Sequence, residues 1–355
     1  MKSKLTLAAV ILGLVGSVQA ASDGKQSDIM FMPKAGGFQY YGKLDYAFGD
    51  YENNYSRLGS ANVTQTTSKF DTERWVLKNS LDYGLMERLS LGLDINYQMT
   101  STVENKSGTT NGVADTGNQL EAKTDDKGLQ NIGLNGRYRV MEEEPVNLDF
   151  QLGFDFRLGD DEKSYSYAPQ GGGNNKADEG NAYSAHAMKL GSEVGTNAGK
   201  FQWKGLLGLN YMFEHDVYLL KADTNAAGQN VNLKEKLKAH NDIALGLAGN
   251  YFFMPAFSMG FGADFLLVGK REYTYASVIA PTTTNTLTEK SHTDIALGID
   301  GKYEFTKNVM GSLGLGYTFG GEYDVTNVTA GTTPSQYKKK DVNETKVTFG
   351  VGVLF

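Results

Sequence analysis

Val146-Asn147-Leu148-Asp149-Phe150-Gln151-Leu152-Gly153-Phe154-Asp155-Phe156-Arg157-Leu158 alternates apolar with polar or small residues without a break. Successive side chains of a strand point to opposite faces. As a strand, this stretch therefore has one wholly apolar face and one face carrying Asp149, Asp155 and Arg157. Residues 89–98 repeat the pattern, with Leu89, Leu91, Leu93, Ile95 and Tyr97 opposite Ser90, Gly92, Asp94, Asn96 and Gln98. It recurs near 199–214, 257–270, 293–305, 309–320 and 345–355, and no helical period of comparable length competes with it.

A soluble sandwich would alternate too. The connections separate the two cases. Short ones fall near Met86-Glu87, Glu142–Pro145, Asn197–Gly199, Met254-Pro255 and Thr306–Asn308. Long ones fall at about 49–67, 101–127, 159–182, 215–235, 271–290 and 321–341, and their length exceeds that of ordinary soluble loops. They are rich in Gly, Asn, Thr, Ser, Asp and Lys, with little to bury. Short periplasmic turns opposite long extracellular loops are the asymmetry of outer-membrane barrels. Between these connections fit 12 strands, an even number that returns the C-terminus to the starting side. The predicted fold is all-β: a transmembrane antiparallel up-and-down β-barrel.

Aromatic residues gather where such strands would cross the two membrane interfaces. Tyr83, Tyr138, Phe201, Trp203, Tyr251, Phe257, Tyr303 and Phe305 lie near the short turns. Tyr46, Phe48, Trp75, Tyr97, Phe156, Tyr211, Phe213, Phe265, Tyr317 and Phe319 lie toward the long loops, and amphipathic rings favour those depths. The chain ends with Val347, Phe349, Val351, Val353 and Phe355 on one strand face. This resembles the C-terminal signal read by the barrel assembly machinery. Phe349, Val351, Val353 and Phe355 are thus the expected assembly signal, and that machinery and outer-membrane lipids are the expected partners.

The N-terminus supplies an address. Lys2 and Lys4 precede an apolar run from Leu5 to Val15, and Val18-Gln19-Ala20 reads as a cleavage site. The run is short for a membrane span, so a cleaved signal peptide is expected over residues 1–20, with export to the outer membrane of a Gram-negative bacterium. Residues 21–36 form a periplasmic extension and residues 37–355 the barrel. The extension holds one apolar patch, Ile29-Met30-Phe31-Met32-Pro33. It is expected at the periplasmic interface or disordered; the alternative is a plug threaded into the lumen.

Composition narrows the chemistry. The 355 residues include no Cys, which excludes disulfides, thiolate catalysis, iron–sulfur clusters and Cys-ligated zinc. A net charge of −7 offers no basic field for nucleic acid. Of the four histidines, His215 beside Asp216, His240 near Asp242 and His292 near Asp294 could pair a base with a carboxylate. The serine motif of a barrel phospholipase is missing, and Asp160-Asp161 with His215-Asp216 only loosely echoes an omptin-like protease. The histidines read as polar rim residues. No catalytic residue, metal site or cofactor is expected.

Leu81-Asp82-Tyr83-Gly84-Leu85-Met86-Glu87-Arg88-Leu89-Ser90-Leu91-Gly92-Leu93 looks like a strand–turn–strand of Gram-negative barrels. Gly128-Leu129-Gln130-Asn131-Ile132-Gly133-Leu134-Asn135-Gly136-Arg137-Tyr138-Arg139 is similar to the strand that follows it in the same group. Residues 75–160 in this way resemble an outer-membrane family named for meta-pathway phenol degradation, whose members are taken to be transporters. The resemblance implies uptake and brings no catalytic residues.

Strand parity assigns an inner face. Its acidic residues include Asp45, Asp82, Asp94, Asp149, Asp155, Glu193, Asp242, Asp264, Asp294, Asp300 and Glu304. Its basic residues include Lys43, Lys78, Arg137, Arg139, Arg157, Lys189, Lys204, Lys270, Lys302 and Lys346. Charge facing lipid costs about 2–4 kcal/mol at the midplane, so these side chains must face water or one another. Inward glycines such as Gly92, Gly133, Gly246 and Gly260 either leave space or permit curvature, the commoner reason. The expected function is passive diffusion or uptake of small solutes through a narrow, charged lumen. The alternatives are a closed structural or surface-interaction barrel and an importer of hydrophobic or aromatic molecules; the solute itself is not legible.

Overall fold

The computed structural model describes residues 26–355 except 59–62, 111–112, 115–123, 144–145, 159–179, 182–184, 197–198, 223–230, 277–283 and 330–334. Residues 1–20, the expected signal peptide, and Asp160-Asp161 lie outside the described residues, as do parts of the long connections. Among the described residues there is no helix. The wall is built from β1 (Phe38–Leu58), β2 (Val63–Met86), β3 (Leu89–Thr110), β4 (Thr124–Glu143), β5 (Val146–Arg157) and β6 (Ala187–Thr196). It continues through β7 (Phe201–Met212), β8 (His240–Met254), β9 (Phe257–Val268), β10 (His292–Glu304), β11 (Val309–Gly320) and β12 (Ser335–Leu354).

Each strand pairs antiparallel with its neighbours in the chain. The sheet closes where β1 pairs with β12, from Gln39 opposite Leu354 to Ser56 opposite Gln336. Closure removes the free edges that an open sheet would expose to lipid. The strand count is therefore 12, and both ends of the wall lie on the turn side.

Burial is inverted relative to a water-soluble domain. Leu247 is 64% exposed and Leu152 58%, whereas Asp149 and Asn250 are fully buried. The apolar members of each alternating strand face outward, because the solvent there is lipid, and the polar members face in. Ring pairs mark the two interfaces: Phe38 with Tyr83 at 4.5 Å on the turn side, Tyr46 with Trp75 at 4.4 Å on the loop side. Leu247→Arg should lower stability by about 2–4 kcal/mol in urea unfolding from lipid vesicles, since it places charge on the lipid face. An unchanged unfolding midpoint would mean the register is wrong.

The long connections depart from expectation. Among the described residues much of five of them is strand, not loop; 159–182 lies almost wholly outside the described residues. β1 and β2 stay paired out to Leu58 opposite Val63, well inside the expected loop 49–67. The other extensions are His215–Ala222 with Val231–Leu237, Arg271–Ala276 with Thr284–Glu289, and Tyr323–Thr329 with the start of β12. Backbone N–H and C=O groups beyond the membrane still need partners, and continuing the ladder supplies them. Composition alone reads such polar, Thr- and Asn-rich stretches as loops.

Candidate functional site: the plugged lumen

The apolar patch near the N-terminus is not at the membrane interface. Residues 26–33 run across the turn-side mouth of the barrel, inside the wall. The Gln26 side chain donates to the Asn308 carbonyl at 2.8 Å, and Ser27 Oγ donates to Glu304 of β10 at 2.6 Å. Asn250 of β8 donates to the Ser27 carbonyl at 3.1 Å. Gln202 of β7 clasps the next turn, accepting from the Ile29 N–H at 3.0 Å and donating to Asp28 Oδ1 at 2.8 Å. On the far side Arg139 donates to the Met30 carbonyl at 2.6 Å and Arg137 to the Phe31 carbonyl at 3.0 Å, both from β4. β4 and β10 stand six strands apart either way around the wall, so the segment spans the full lumen. Met30 is fully buried within it.

The exit of the plug is set by Gly84. Gly36 N–H donates to the Gly84 carbonyl at 2.7 Å, and a Cβ at Gly84 would lie 1.9 Å from the Lys34 carbonyl oxygen. Only a residue without a side chain lets the chain pass there before β1 begins.

Asp149 organises the arginines. It is fully buried, accepting from Arg137 Nε at 2.7 Å and from Arg139 Nε at 2.8 Å. Glu193 lies 3.3 Å from Arg137 and 2.9 Å from Lys204. Other inner-wall charges pair along the wall: Lys78 with Asp45 at 2.8 Å, Lys189 with Asp155 at 2.7 Å and Lys302 with Asp300 at 3.5 Å. Asp94 accepts from Ser80 at 2.6 Å and Asn135 at 2.8 Å. Several inward glycines prove to be space for carboxylates. A Cβ on Gly92 would meet Asp82, on Gly133 Asp155, on Gly246 Asp264 and on Gly260 Asp300, all within 2.8 Å. Lys43 and Lys346 have no ion-pair partner among the described residues. At the loop-side rim, Arg157 donates to the Asp216 carbonyl at 3.2 Å.

Two of the rim histidines, His240 and His292, sit in a repeated motif. Lys238-Ala239-His240-Asn241-Asp242-Ile243-Ala244-Leu245-Gly246 recurs as Lys290-Ser291-His292-Thr293-Asp294-Ile295-Ala296-Leu297-Gly298, and 290 − 238 = 52 residues separate the copies. Both copies make the same contacts. Asp242 accepts from the Gly269 N–H and Asp294 from the Gly321 N–H, each at 2.9 Å. Lys238 pairs with Glu272 and Lys290 with Asp324, holding both carboxyls below their usual range. The aspartate and the lysine of each copy therefore clamp the point where a wall strand passes into its extension. The repeat was present in the sequence and is visible only when the two hairpins are compared directly.

Gln202 and Asn250, which hold the plug, were not singled out by sequence. Their sole signal was an uncharged amide at an inward position. Around the plug the lumen keeps two cavities. One of about 760 Å³ is lined by Phe31, Pro33, Asp82, Asp94, Arg137, Lys189 and Asp242. The other, of about 430 Å³, is lined by Gln26, Asp28, Ile29, Tyr41, Lys43, Asp264, Asp300 and Lys346.

No family model matches this chain, and no curated protein matches it. Solved structures do. The COG4313 outer membrane channel from Pseudomonas putida F1 is similar at 14% identity and TM-score 0.49, over 94% of this chain and 100% of that one. The P. putida toluene transporter TodX is similar at 10% identity and TM-score 0.37, over 90% of each chain. The outer membrane protease OmpT from Escherichia coli is similar at 10% identity and TM-score 0.39, over 96% of this chain and 100% of that one. The pairing of the strands by itself makes the protein a closed antiparallel β-barrel of 12 strands.

Proposed function

We propose that the protein is a non-enzymatic outer-membrane channel for passive uptake of small solutes, narrowed on the turn side by its own N-terminal segment. The observation that carries this reading is the space left inside the wall. Twelve strands lie between eight-strand barrels that side chains fill and sixteen-strand open porins; here cavities of about 430 and 760 Å³ remain beside the plug. The charged residues that line them form the selective field. Planar-bilayer recording of the purified chain should show small, discrete openings whose size depends on the plug. Complete absence of steps, with the plug present or removed, would favour the closed structural barrel instead.

In this reading residues 1–20 direct export, the barrel assembly machinery engages Phe349 to Phe355, and the termini and short turns face the periplasm. Protease added to whole cells should then cut within 101–127 or 159–182 and spare the turn at Met254-Pro255. Cuts restricted to the periplasmic face would reverse the topology.

A further inference from the structure

We infer that the smaller cavity is a binding site for a small organic anion, its carboxylate held between Lys43 of β1 and Lys346 of β12. The inference rests on the lumen being a solute path, and it adds the class of solute. Lys78, Lys189 and Lys204 each lie within 2.9 Å of a carboxylate. Lys43 and Lys346 do not. The ammonium of Lys43 sits 4.7 Å from the centre of the Tyr41 ring and has no ion-pair partner among the described residues.

Register explains the vacancy. Lys43 faces Gly350, Asp45 faces Thr348 and Ala47 faces Lys346, so the two lysines straddle Asp45 on adjacent strands. Asp45 is already engaged, by Lys78 at 2.8 Å and by the Thr348 hydroxyl at 2.7 Å. Three carboxylates line the cavity, and each is turned to the wall: Asp28 of the plug accepts from Gln202 at 2.8 Å. Asp264 lies over Gly246 of β8, and Asp300 lies over Gly260 of β9. Acid thus collects on the β8–β9 side and unneutralised ammonium on the β12–β1 side. Two like charges facing one cavity repel, and a bound carboxylate turns that repulsion into two charge-assisted contacts.

Further donors and an apolar floor complete the site. Tyr41 and Ser312 share one hydrogen bond at 2.8 Å. Whichever hydroxyl donates, the proton of the other stays free for an acceptor in the cavity. Gly350 makes this pair possible, since a Cβ there would lie 2.3 Å from Ser312 Oγ. Ile29 of the plug and Met310 give the lower end its apolar surface, beside Gln26 and Asp28, and the apolar body of the anion would rest on them. A volume of about 430 Å³ suits a ligand of benzoate size. The lining continues up β11 to Thr318, which reaches toward the loop side.

The test is calorimetric titration of the purified chain in detergent micelles, with benzoate as probe and benzyl alcohol as its uncharged counterpart. Benzoate should bind saturably and roughly tenfold or more tighter than benzyl alcohol. Lys43→Gln with Lys346→Gln should cut benzoate affinity by about tenfold and leave benzyl alcohol unaffected. Lys43→Arg with Lys346→Arg should retain benzoate binding, which shows that charge and not folding is at issue. Equal affinity for both probes, or full benzoate affinity in the glutamine variant, would overturn the site. So would inorganic phosphate binding as tightly as benzoate, since a bare anion trap needs no apolar floor. Binding is read at equilibrium and not as flux, so a chain that binds benzoate yet passes no current would sink the channel reading alone.

Discussion

Deleting Gln26–Phe31 from the mature chain should raise single-channel conductance roughly tenfold or more, because the constriction and not the wall limits the current. The segment crosses from β10 to β4 and is held by Glu304, Asn250, Gln202, Arg139 and Arg137. Most of these bonds reach backbone groups of the plug, so they depend on where the chain runs more than on which side chains it carries. Once it is gone, the anchors face water and both cavities open to the turn side. A graded version is available. Gln202→Ala together with Asn250→Ala removes two anchors at about 1 kcal/mol each, and openings should become longer or more frequent without loss of the wall. Equal conductance in the deleted and full-length proteins would show that the plug does not control passage.

Asp149→Ala should destabilise the barrel by about 3–5 kcal/mol, read from the urea midpoint in lipid vesicles. Asp149 is fully buried and accepts hydrogen bonds from both Arg137 and Arg139. Without it Arg139 keeps, among the described residues, the Met30 carbonyl but no carboxylate for its buried guanidinium. Arg137 is better protected, because Glu193 lies 3.3 Å away. Asp149→Asn preserves shape and part of the hydrogen bonding, so its loss should be smaller. Conductance should rise in parallel with the loss of stability, since the same arginines hold the plug. A midpoint shift worth less than about 0.5 kcal/mol would mean that the cluster is hydrated and the burial illusory.

The wall was legible in the amino-acid sequence, and the plug only as the less favoured of two placements for Ile29-Met30-Phe31-Met32-Pro33. Leu148, Phe150, Leu152 and Phe154 face outward against Asp149, Gln151, Gly153 and Asp155 because a strand between lipid and water is amphipathic at every step. That property is local, and a reader of the chain recovers strand, face and count from it. The contacts of Ile29, Met30 and Phe31 have no local signature. Their partners lie at 137, 139, 202, 250 and 304, and several bonds end on backbone carbonyls that no side-chain pattern encodes. The rim clamps Lys238-x-His240-x-Asp242 and Lys290-x-His292-x-Asp294 were written in the sequence, yet their role became evident only once Gly269 and Gly321 were seen to donate to the aspartates.

The same division holds for charge. Sequence alone offered a set of inward charges, because exposure to lipid penalises charge wherever along the chain it falls. Only the tertiary structure decided which of them neutralise one another. Asp45 turns to Lys78 and Thr348 and leaves Lys43 and Lys346 unneutralised, a choice made by register between β1, β2 and β12. Register between strands some 300 positions apart in the chain depends on closure of the whole barrel, and closure is a property of no single segment.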